Sequence, residues 1–171
     1  AVGGARRIDL PTGRDRPASL AASPDGNLVL LDSGQRRLYR LDENGAVLGS
    51  APLPIKEPVR VRLDAAGRVF VADRASGTVH VFTGGLTPLR VIDPEASGQD
   101  VRRVEDMAVD FAGNVLLLDG RAHSATLFTP QGRALATTGD AVRMDLFGWD
   151  GAGELVYVNA KDGYLGRVGT L

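Results

Sequence analysis

The chain has no cysteine, which excludes disulfides, thiolate metal sites and a cysteine nucleophile. Aromatic residues are scarce at 5%, too few to build platforms on which bases could stack. Charge of one sign is also missing. The 20 Lys and Arg residues stand against 21 Asp and Glu, a net charge of −1, so the basic stripe of a nucleic-acid binder is absent. No apolar run approaches the roughly 18 residues needed to span a bilayer as a helix, and no basic, apolar, then small-residue leader opens the chain. Lysine is nearly absent, with arginine in its place, a bias read as that of a GC-rich bacterial genome. The first residue is Ala1 rather than Met. That fits a processed mature protein or an excerpt, and processing would place it outside the cytoplasm, periplasmic or secreted.

What is present is 171 residues, 43% hydrophobic and 24% charged, enough for one domain with a real core. The main signal is self-similarity. Ser23-Pro24-Asp25-Gly26-Asn27-Leu28-Val29-Leu30-Leu31-Asp32 recurs as Asp64 to Asp73, as Asp110 to Asp119 and as Asp150 to Asn159. The copies place Gly26, Gly67, Gly113 and Gly153 in register, at a period near 40 filled with short apolar runs and glycine turns. That pattern indicates the blades of a β-propeller. Helical solenoids of similar period need long stretches of three- and four-residue apolar spacing, which are not found.

Each unit reads as four strands. The innermost covers 19–22, 60–63, 106–109 or 146–149, and a glycine hairpin turn follows it. The second is an apolar run ending at Asp32, Asp73, Asp119 or Asn159. The third covers 38–41, 79–83, 126–129 or 164–168. Turns at Gly45, Gly85 and Gly132 lead to an outer strand. The segment Pro17 to Asp32, an apolar strand and Asp-Gly-Asn turn before an apolar strand ending in Asp, resembles the blade pattern of the NHL-repeat family. The resemblance implies an all-β propeller of four four-stranded blades, at about 17–54, 58–92, 104–138 and 143–171, in one domain over 1–171. It leaves function open, because the family contains both enzymes and interaction modules.

The fourth unit stops where its outer strand should begin, and residues 4–11 supply a matching strand. Four blades are therefore expected to form a complete unit, with Ala5 to Leu10 closing the last blade. The strand could belong to the same chain or, by strand exchange, to a neighbouring one.

Asp32, Asp73, Asp119 and Asn159 recur in every unit, as folding residues do, and are expected to cap the following turns. His80 and His123 occupy different places in their units and do not converge by repeat symmetry. No metal site is expected from them, since zinc needs three or four ligands meeting at one point. Arg60, Arg62, Glu105, Asp106, Arg143 and Asp145 are expected near one mouth of the axial channel. They would form an ion-pair ring, a cation site made of the carboxylates, or an arginine site for a small carboxylate. The spacing between the second and third units is lengthened around Asp93 to Asp100, a polar loop expected to project from one face.

No catalytic constellation, cofactor motif or nucleophile elbow is found. The leading expectation is a non-enzymatic interaction or structural propeller that binds a protein partner or its own copies. The alternative is a metal-dependent lyase or lactone hydrolase of propeller type.

Overall fold

Short apolar runs separated by Asp, Asn, Gly and Pro can pair only with their sequence neighbours, so sheet follows sheet along the chain. A computed structural model describes residues 16–138, 144–150 and 154–168. Blade 1 is the antiparallel meander β1 (Pro17–Ala22), β2 (Leu28–Asp32), β3 (Arg37–Leu41) and β4 (Val47–Pro52). Blade 2 comprises β5 (Pro58–Leu63), β6 (Val69–Asp73), β7 (Val79–Phe82) and β8 (Pro88–Ile92). Blade 3 comprises β9 (Val104–Val109), β10 (Val115–Asp119), β11 (Ser124–Phe128) and β12 (Ala134–Thr137). Blade 4 has three described strands, β13 (Leu146–Trp149), β14 (Leu155–Asn159) and β15 (Tyr164–Val168). The architecture is all-β, and no helix among the described residues is long and apolar enough to cross a membrane. The expected closing strand at 4–11 lies outside the described residues, as does Arg143.

Turn chemistry explains the hairpins. Gly26, Gly67 and Gly113 have φ of 84°, 74° and 87° at the ends of the innermost hairpins, a conformation that glycine adopts without steric cost. The outer turns repeat this at Gly45 and Gly132, and in blade 2 the expected turn at Gly85 forms with its left-handed position one residue later. There Leu86 takes the left-handed position, at φ 67°, and its N–H bonds the Thr83 carbonyl as the turn glycines bond theirs. Leu86 tolerates the strain because its side chain is buried among Leu31, Leu38 and Val61 at the junction of blades 1 and 2. The loop after each second strand has its own left-handed residue four positions past the acid or amide: Arg36, Gly77, His123 and Gly163. His123 is thus a turn residue in a structural repeat.

Blades stack face to face. Leu31 and Leu38 of blade 1 meet Val61, Val71 and Phe82 of blade 2. Phe70, Val79 and Ile92 meet Met107, Leu117 and Phe128 at the next junction, and Leu118 and Leu127 meet Leu155 and Tyr157 at the third. The lengthened loop does not simply project. It forms a 3₁₀ turn at Glu95–Ser97, Thr137 Oγ1 of β12 donates to Gln99 Oε1 at 2.9 Å, and Val101 packs against the junction of blades 2 and 3.

Candidate functional site

The acids that end the second strands are buried and committed to the backbone. Asp73 accepts from the N–H groups of Ala75 and Glu57, both at 3.0 Å, and from the Ser76 hydroxyl at 3.0 Å. Asp119 accepts from Arg121, Ala122 and Arg102 N–H at 2.8, 3.1 and 2.7 Å. Each carboxylate therefore caps the turn that follows it and also holds the segment leading into its own innermost strand, a second task the sequence does not reveal. Asp32 takes the Gln35 N–H at 2.9 Å, while its Oδ2 has no partner among the described residues. In blade 4 the arrangement is inverted. Asn159 accepts the Asp162 N–H at 2.9 Å, and Asp145 at the start of the innermost strand takes the Ala160 N–H at 2.8 Å.

The charged set expected at one mouth of the channel divides. Arg60 Nε and Arg62 Nη2 both donate to Asp106 Oδ1, at 2.9 and 3.3 Å. This carboxylate occupies the arginine pair, leaving no vacant carboxylate site between Arg60 and Arg62. Glu105 and Asp145 are not part of the cluster. The strand pleat turns exposed Glu105 away from Asp106, across Gly120. Asp145 falls one residue short, because pairing with β14 puts Leu146 in the position that Asp106 holds in blade 3. The three carboxylates therefore do not converge, and no group of three acidic or histidine donors able to hold a metal is found among the described residues.

His80 lies partly buried on β7, where burial pushes its imidazole below the ordinary value despite the opposing charge of Asp73. On the face bearing the hairpin turns, Ala22, Leu63, Val109 and Trp149 from the four innermost strands border a cup of ≈ 300 Å³. The opposite face carries a larger cleft of ≈ 600 Å³ between blades 2 and 3.

The two end blades differ from the inner ones in how their faces are covered. In blades 1 to 3, a row of side chains on the second and third strands packs on the following blade: Leu31 and Leu38, Ala72 and Val79, Leu118 and Ala125; the first strands add polar Ser19, Arg60 and Asp106 to it. The matching row in blade 4 is Leu146, Val158 and Leu165, and there Leu146 is 61% and Leu165 63% exposed. At the other end of the molecule, Leu20 of blade 1 is 54% exposed, whereas Val61 in the equivalent position of blade 2 is fully buried. Among the described residues no apolar cluster joins blade 4 to blade 1.

Strand order, blade packing and the repeated acid clamp define an all-β propeller built of NHL-like blades. Sequence comparison agrees: the NHL repeat-containing protein 3 of Homo sapiens and that of Mus musculus are each 34% identical over 77 residues, 40% of this chain and 22% of the relative. The chain thus matches about a fifth of the length of these relatives. No protein-family profile matches. Among solved structures, a streptogramin B lyase superposes with a TM-score of 0.71 at 12% identity, over 94% of this chain and 54% of its own. The virginiamycin B lyase of Staphylococcus aureus gives 0.70 at 12%, over 93% and 57%. YCF48 bound to D1 peptide gives 0.61 at 11%, over 90% and 50%. At these identities the likeness is one of fold.

Proposed function

We propose that the protein is a non-enzymatic interaction propeller that associates with a second copy of itself through its two end faces. The observation that carries this reading is the apolar pair Leu146 and Leu165, exposed on either side of half-buried Val158 on blade 4. In blades 1 to 3 the second- and third-strand members of that row are buried against the next blade, so the chemistry the row calls for is another blade. On blade 1 the complementary end offers Leu20 alone, since Leu30 and Tyr39 in the same row are buried. Curvature supports the same reading. Four blades that superpose over 94% of their length on 54% of a larger propeller follow its arc, and such an arc subtends about half a turn. Two arcs joined head to tail close a ring, whereas a contact that fails to close gives a filament.

The test is the native mass by light scattering, for the wild type and for Leu146→Asp with Leu165→Asp. Association that is lost in the double variant supports the reading, and a monomer at every concentration overturns it. Removing residues 1–11 separates two modes of association: loss of assembly assigns it to exchange of the Ala5 to Leu10 strand, and retention assigns it to the blade faces. The rival reading, a metal-dependent lyase or lactone hydrolase, requires a bound metal. Stoichiometric zinc or calcium in the purified protein would favour that rival.

A further inference from the structure

The cleft of ≈ 600 Å³ between blades 2 and 3 concentrates one sign of charge in a chain whose charges otherwise nearly cancel. Its lining includes Arg74 from the β6–β7 loop, Arg102 and Arg103 ahead of β9, and Arg121 from the β10–β11 loop, against two acids, Glu57 and Glu105. Internal pairing leaves much of this charge unused. Arg74 Nη1 donates to Glu57 at 3.2 Å, but its Nε is buried with no acceptor among the described residues. Arg102 is held by Asp100, its Nε 2.6 Å from the carboxylate. The guanidiniums of Arg103 and Arg121 have no hydrogen-bond or ion-pair partner among the described residues.

Guanidiniums gathered in one concavity repel each other, and a bound oxyanion removes that cost while filling their forked donors in pairs. The acids limit what kind of anion fits. Glu105 lies against Gly120, which has no side chain to push it away, and so places an acceptor at the cleft wall. Glu57 supplies another. Carboxylates beside an anion site repel a bare ion but accept hydrogen bonds from hydroxyl groups, and the cleft is far larger than an inorganic ion requires. The geometry points to a binding site for a small oxyanion that also carries hydroxyls, a sugar acid or a sugar phosphate.

Calorimetric titration of the protein with glucuronate and glucose 6-phosphate, beside glucose and inorganic phosphate, tests this. At least one acidic sugar binds at least tenfold more tightly than either glucose or phosphate, and raising the salt to 0.5 M weakens it severalfold, as expected of partly exposed charge pairs. Arg103→Ala with Arg121→Ala, both exposed positions, weakens that binding at least tenfold with the circular dichroism spectrum unchanged. Glu105→Gln weakens the acidic sugar and not phosphate. Phosphate binding as tightly as the sugars would mean an adventitious ion only and would overturn the assignment. So would affinity unchanged in the double arginine variant, or no saturable binding of any of the four compounds.

Discussion

Single residues in this protein mostly serve the backbone. Asp73 satisfies several N–H groups on two segments at once, so Asp73→Ala leaves buried donors unpaired. We expect a loss of about 2–4 kcal/mol in urea unfolding, more than a simple turn cap would give. Arg36 and His123 occupy left-handed positions that Gly77 and Gly163 fill elsewhere. Relief of strain should outweigh the entropy of a new glycine, so Arg36→Gly and His123→Gly are each expected to stabilise by about 0.5–1 kcal/mol. His80 gives a signed pH dependence. Its folded value lies below the 6.5 of the free side chain, so the unfolded chain takes up the proton first. The stability tied to neutral His80 is full above pH 6.5 and is lost as the pH falls through the lower, folded value. The urea midpoint of His80→Gln should therefore fall less steeply below pH 6.5 than that of the wild type.

At the scale of elements, the strands were legible where apolar runs end in an acid or amide, and blurred where proline begins them. Pro17, Pro58 and Val104 start β1, β5 and β9, each two residues before the expected strand, and proline is tolerated at a strand's first position. The turn at Gly85 is legible, but the left-handed position of Leu86 beside it is not: burial of Leu86 outweighs its backbone preference, and burial cannot be read locally. The charged residues around Asp106 were recognised as neighbours, yet their pairing depended on register within a single strand. The basic cleft left no local motif, since its arginines come from loops of two blades. One contact between elements is testable. A Cβ on Gly77, at φ 75°, would fall 2.3 Å from the Val101 carbonyl oxygen. Gly77→Ala should displace the loop between blades 2 and 3 and cost about 2 kcal/mol or more in thermal or urea unfolding.

For the whole molecule, self-similarity makes the propeller legible, while the same symmetry conceals how the end blades are covered. The second- and third-strand positions of one row are buried in blades 1 to 3, whereas Leu165 on blade 4 is exposed beside exposed Leu146, a difference that only the packed structure expresses. The account therefore rests on what covers Leu146 and Leu165. Light scattering of the purified chain at micromolar concentration tests it most directly. The account predicts a particle of two chains that becomes a single chain in Leu146→Asp with Leu165→Asp, and a wild-type mass of one chain across the whole concentration range would contradict it.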